Sequence, residues 1–282
     1  MNTRDNRRDN THGGWREDWL ALTEEEILEP ELPIVDPHHH LWDTKSSVYM
    51  LDDLLADTGS GHNVHATVFV ECRAFYRAFG PGPMRFVGET EFVNGVAAMA
   101  ASGVYGTTLA CAGIAGRADL AAGASVAEVL AAHVAAGNGR FRGIRHAAGW
   151  DASPEVNDSH TEPPEGLYLD PKFREGFAQL AEFEMSFEAW QYQFQMGDLI
   201  DLARAFPAQP IVLNHCGGIV GIGPYAGRHE EFFQQWQADI RELAECPNVY
   251  IKLGGLGMKL GGFGLHERPK PATSEELADL WR

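Results

Sequence analysis

Residues 31–43, ELPIVDPHHHLWD, decide how the rest of the chain is read. An apolar run, residues 32 to 36, reads as a strand and delivers three consecutive histidines at its downstream end. On an extended backbone successive side chains alternate between faces, so His38 and His40 share one face while His39 points away. Two imidazoles on one strand face make a clamp. It can hold a divalent metal or polarise a carbonyl, provided that other strands bring further groups to the same place. On this stretch alone the plainer reading, histidines hydrogen-bonded or solvated at a strand end, stays open.

Outward from that strand, apolar runs alternate with helical periodicity. Upstream, Thr23 with Glu26 forms a capping-box pattern for a short helix that Pro30 ends. Downstream, strands are expected over 64–71 (ending on Glu71), 104–112, 141–146 (ending on Arg145 and His146), near 183–192, from Pro210 to His215, and over 248–255. Between them lie helical patterns: Phe92, Val93, Val96, Ala97 and Ala100; a capped segment from Ser125 and Glu128 with His133 on its face as a structural residue; and helices from Pro171, from Asp198 and after Arg228. A last capping box, Thr273 to Glu276, opens a helix near the end of the sequence.

Regular βα alternation with nearly continuous apolar strands implies a parallel sheet, and the length of each unit suits an α/β TIM (β/α) barrel. Seven strands can be counted, so the barrel is expected to be truncated after the seventh strand. In such barrels functional groups sit at the downstream strand ends. Here those ends carry His38 and His40, Glu71, Arg145 with His146, Trp190 with Gln191 and Gln193, and His215, with Gly254 and Gly255 after strand seven. Each residue alone has a dull explanation, but unrelated strands would have no reason to finish so often on His, Arg or Glu.

Composition narrows the function classes. The chain has 282 residues, 44% of them hydrophobic, and a formal charge of -18 from 40 acidic against 22 basic residues. With no sustained basic run, nucleic acid and anionic membranes are poor partners. The alanine-rich segment Ala118 to Gly137 is interrupted by Asp119, Glu128 and His133, which suits a packed helix rather than a membrane span. Residues 1–30 read as an N-terminal arm and short helix without a signal-peptide core, ahead of a barrel domain over 31–282. Cys72, Cys111, Cys216 and Cys246 are widely spaced, as in a reduced cytoplasmic protein, and argue against a catalytic thiol. The glycines Gly221, Gly223 and Gly227 lack the spacing of a dinucleotide turn. His215 and Cys216 cannot easily act as a nucleophile pair, because strand neighbours point apart.

The motifs VDPHHHLWD, VGETEFVNGVAAM, GRFRGIRH, FEAWQY, LNHCGG and PNVYIKLGG together resemble the amidohydrolase-related family, the type 2 branch of the amidohydrolase superfamily. The resemblance covers nearly everything from Leu32 to Trp281. It implies a barrel hydrolase, lactonase or decarboxylase with its site at the strand ends. It also implies that His38, His40 and His215 serve as metal or substrate ligands and as catalytic groups. Two departures stand out. No histidine lies between Phe183 and Gln195, where Gln191 or Gln193 stands instead, and the family's aspartate after strand eight is missing.

The expectation is therefore a cytoplasmic hydrolase of a small lactone, ester or amide. A carbon–carbon lyase and an inactive truncated scaffold are the alternatives. Arg145, Glu71, Trp190 and Gln193 are the candidate substrate contacts: Arg145 would fork onto a carboxylate beside the apolar wall of Trp190, or pair structurally with Glu71. A zinc or manganese ion on His38, His40 and His215 is expected to be loosely held, since three neutral donors lack a carboxylate. The expected partner is a small-molecule substrate, and a homo-oligomer is left open.

Overall fold

A computed structural model describes residues 16–45, 47–156 and 161–281. The expected N-terminal arm falls largely on residues 1–15, outside the described residues. The chain divides into two compact units, Met1–Gly116 with Ala132–Phe141 and Glu267–Arg282, and Arg117–Ala131 with Arg142–His266.

In the first unit, helix α1 (Glu17–Leu20) precedes β1 (Ile34–His39), and a two-residue-per-strand hairpin follows, β2 (Trp42–Asp43) against β3 (Val48–Tyr49). Helix α2 (Leu51–Thr58) leads to β4 (Val64–Val70), and α3 (Val87–Ala101) leads to β5 (Leu109–Gly116). Strands β1, β4 and β5 pair in parallel. The sequence places the second strand well and the third four to five residues too early. Val104 and Tyr105 have strand-forming side chains, yet they sit exposed in a turn between the left-handed Gly103 and Gly106. The true strand, LACAGIAG, is built of small residues because helices pack closely over it. A Cβ on Gly116 would lie 2.7 Å from the Phe141 ring. The helix expected after Thr23 does not form. Its N-cap residue and a neighbouring glutamate make long-range contacts instead: Thr23 Oγ1 donates to the Pro271 carbonyl at 2.9 Å, and the Glu25 carboxylate accepts from the Ser274 hydroxyl at 2.8 Å.

The second unit contains β6 (Phe141–Arg145) from Arg142 onward, β7 (Ser186–Ala189), β8 (Ile211–Leu213) and β9 (Val249–Ile251). All its pairings are parallel and free of register shifts, aligning Arg145 with Glu188, Glu188 with Val212, and Val212 with Tyr250. In-register neighbours in a sheet present their side chains to the same face. Helix α4 (Ala127–Gly137) belongs to the stretch Leu120–Gly137, which is long and apolar enough to cross a membrane by length and composition alone. A left-handed Gly123 breaks that stretch, and Leu120, Val126, Val129, Leu130 and His133 along it are buried in protein. His133 is structural, as expected: its Nδ1 pairs with Thr90 Oγ1 at 2.8 Å and its ring stacks on Phe141.

Helices α5 (Pro171–Glu182), α6 (Met196–Ala205) and α7 (His229–Leu243) follow, and α8 (Ser274–Trp281) ends the described chain. Asp170 caps α5 by accepting from the Lys172 and Phe173 amides, and Pro171 sits at the first helical position, where its missing N–H costs nothing. The amphipathic face of α5 then buries Phe173 and Phe177 against Phe187 of β7 in edge-on contacts. Each such ring contributes about 1.5–3 kcal/mol by leaving water. Asn248, just before β9, closes the bottom of this unit by donating to the Ala203, Phe206 and Gln209 carbonyls. Strand β9 pairs with β8 and is exposed along much of its length, with Tyr250 at 64% and Leu253, just beyond it, at 82%.

Candidate active site

At the end of β1, Asp36 accepts from the His38 amide and Pro37 fixes the backbone just before the histidines. The His38 and His40 rings stand 5.0 Å apart, edge to face at 89°. His40 Nδ1 lies 2.7 Å from the Val70 carbonyl, which can only accept, so Nδ1 carries a proton. His39 turns to the opposite side, as alternation requires. It is buried against Phe69, Thr67 and Cys111, with Nε2 at 2.8 Å from Thr67 Oγ1. Burial pulls its pKa down to about 4, against a smaller opposing effect of Asp36.

Glu71 is fully buried at the end of β4, and its amide donates to the Ala115 carbonyl. Glu89, which the sequence offers only as part of a motif, is buried in the first turn of α3. Its Oε1 accepts from the Cys72 and Ala74 amides at 3.0 and 2.8 Å, fixing the loop that leaves β4. Burial, then the charges of Glu89 and Glu71, push the Cys72 thiol up; burial pushes Cys111 up to about 12 and also raises Cys216. Thiols so disposed are inert at neutral pH.

In the second unit Arg145 ends β6 and is buried. His146 faces the helices, accepting from the Leu120 amide and packing on Phe173, so its role is structural. Gln193 is turned to scaffolding, its Oε1 accepting from the Val220 amide. Gln191 is fully buried with Nε2 on the Met196 sulfur, and its Oε1 has no hydrogen-bond partner among the described residues. Trp190 meets the His215 ring edge-on at 5.2 Å and 81°.

His215 sits on the most strained backbone of the unit. Four successive residues are left-handed: His215 (φ 54), Cys216 (φ 56), Gly217 (φ 88) and Gly218 (φ 64). Two of them carry side chains, at about 1–2 kcal/mol each. The glycines are required by crowding as well, since a Cβ on Gly218 would lie 2.2 Å from the Gln191 carbonyl and one on Gly255 2.6 Å from the His215 ring. Burial first, then the charges of Arg145 and Lys252, lower the His215 pKa to about 4, so the ring is neutral at pH 7. Lys252 is the residue that the sequence reading passed over. Its ammonium is buried, 2.7 Å from Glu188 Oε2, and the same oxygen accepts from Asn214 Nδ2 at 2.6 Å. The signal for it was a lysine in the otherwise apolar run NVYIKL.

The three histidines expected to hold a metal fall in different units, His38 and His40 in the first and His215 in the second. Among the described residues no group of three or more His, Cys, Asp or Glu is arranged to hold a metal ion. Besides, two cations act on His215, an unfavourable field for a dication. Within the second unit, His215 beside Arg145 and Lys252 does not fit a tightly held ion.

The sequence matches the amidohydrolase family over residues 35–279, and the chain belongs to that family. It is a hydrolase on an α/β, TIM-barrel-type fold. An uncharacterized protein of Sinorhizobium fredii, y4mH, is 30% identical over 250 residues, covering 81% of this chain and 74% of that one. Two crystal structures of an amidohydrolase from Burkholderia multivorans, one with bound HEPES and one with bound zinc, superpose with TM-scores of 0.59 and 0.58 at 22% identity. Each alignment covers 87% of this chain and 76% of the other. At that identity the likeness concerns the fold.

Proposed function

We propose that this chain hydrolyses a small lactone, ester or amide whose acid part carries a carboxylate, with His215 as the group that acts on the reacting carbonyl. The observation that carries the reading is the neutral His215 ring, held on a strained turn beside Trp190 and under the charges of Arg145 and Lys252. A ring with so low a pKa is a poor base, and when neutral it carries one N–H, which the Gly254 backbone holds in the resting chain and which a substrate carbonyl takes over on binding. It can polarise a carbonyl and stabilise the oxyanion that develops as water adds to the carbon. Water then forms the new C–O bond, the bond to the leaving oxygen or nitrogen breaks, and the proton from water ends on that leaving atom. Arg145 suits the substrate carboxylate, because a guanidinium forks onto two oxygens, while Trp190 offers an apolar wall. No step is assigned to a metal. Family membership favours hydrolysis over carbon–carbon cleavage.

The test is a panel of acidic and neutral lactones, esters and amides, with product formation followed by NMR on the purified chain before and after chelator dialysis. Turnover of an acidic lactone that survives chelation and falls about 100-fold or more in His215→Asn is the expected result. Turnover that disappears with chelation, or that is indifferent to His215→Asn, would overturn the mechanism.

A further inference from the structure

The ion pair of Lys252 and Glu188 does more than balance a buried charge, because both partners are wired to the turn that carries His215. On one side, Glu188 Oε2 accepts from the side chain of Asn214, the residue immediately before the histidine. On the other, the Lys252 backbone brackets the turn: its amide donates to the Leu213 carbonyl at 2.9 Å, and its carbonyl accepts from the Cys216 amide at 3.2 Å. The carboxylate of Glu188 therefore fastens residues 213–216 to both β7 and the end of β9. A tie of this kind answers a need, since left-handed backbone at His215 and Cys216 persists only where the surroundings over-determine it. A polar triad with both charged partners under 10% exposed is also costly to bury for stability alone, and apolar residues of similar volume commonly serve that purpose as well.

We propose that Glu188 is a positioning residue for the hydrolase. Through Lys252 and Asn214 it fixes the His215 turn, and hence the direction in which the imidazole faces the reacting carbonyl. The inference rests on the functional reading above for its kinetic consequence, but its structural content can be judged without any substrate.

The experiment compares wild type, Glu188→Gln and the double variant Glu188→Met with Lys252→Met. The double variant removes both charges and leaves neither one buried alone. Three quantities are read: the thermal midpoint, the ring signals of His215 in histidine-labelled protein (assigned with His215→Asn), and kcat and KM on any substrate found. The expected outcome is a double variant that melts near wild type while its His215 ring signals are displaced and those of His133 and His229 are not. Its kcat should fall about 100-fold, the scale for a misplaced group, with KM little changed. If the double variant keeps wild-type His215 signals, the pair serves charge balance only and the proposal fails. It also fails if all histidine signals shift together with a fallen midpoint in both variants, which marks a purely structural role. Should no substrate be turned over by wild type, the functional reading fails, while the ring signals still decide the positioning.

Discussion

His39 should make the fold acid-sensitive in a calculable way. Its pKa is about 4 in the folded chain, lowered by burial, against 6.5 when exposed on unfolding. Between those values the unfolded chain binds a proton that the folded chain refuses, so stability is intact above about pH 6.5, falls as the pH drops, and levels off below about 4. The slope approaches about 1.4 kcal/mol per pH unit in that window, and the total comes to about 3 kcal/mol. Asp36 is the charge that opposes this, while Thr67 and Cys111 bring no charge of their own to the ring. His39→Gln places a non-titrating amide near Thr67 Oγ1. Urea unfolding of both proteins at several pH values from 7.5 to 4.5 should show the variant less stable at pH 7.5 yet flatter by one proton's slope across the window. His215, lowered in the same direction, remains in both and leaves a residual dependence. Parallel curves for variant and wild type would refute the argument, because they would mean that His39 titrates alike folded and unfolded.

Other outcomes follow from single contacts. Asn248→Ala removes a donor shared by three carbonyls and should lower the unfolding free energy by about 2–4 kcal/mol, read from urea midpoints. Gly255→Ala forces a Cβ to 2.6 Å from the His215 ring at a φ of 75, so it should cost about 1–3 kcal/mol and suppress turnover, with crystallography or ring NMR showing a displaced imidazole. Arg145→Met should raise KM for acidic lactones far more than for neutral ones; equal losses on both would mark the arginine as structural.

Much of the fold is legible because its signals are local. Strand β4 falls where Val64, Ala66 and Val68 announce it, and α5 starts at the Asp170-Pro171 pair, whose capping chemistry needs no partner from elsewhere. The failures come where tertiary contacts outbid local preference. Thr23 and Glu26 read as a helix start, but Thr23 and the neighbouring Glu25 bind Pro271 and Ser274, some 250 residues away, and β5 is glycine- and alanine-rich because helices crowd it. At the site, periodicity separates His39 from His38 and His40, and the strand-end rule picks out Arg145 and His215. Lys252, Glu188 and Asn214 stay hidden, since a lysine in an apolar run looks like an edge-strand charge until a carboxylate on another strand is seen beside it. The backbone strain at His215 has no sequence signature beyond the glycines that follow.

The exposed β9 has a colloidal consequence. Its Tyr250 and Ile251, with Leu253 just beyond, put apolar side chains into water beside backbone that can template another strand. Pairing of two such edges is opposed by the mutual repulsion of molecules carrying a formal charge of -18. That repulsion reaches about 10 Å at 0.1 M salt and about 3 Å at 1 M, and it vanishes as the pH approaches 5.0, the sequence pI. Self-association of this protein should therefore be governed by its solvent: light scattering should rise with added sodium chloride and with acidification, and dilution into low-salt buffer at pH 8 should reverse it.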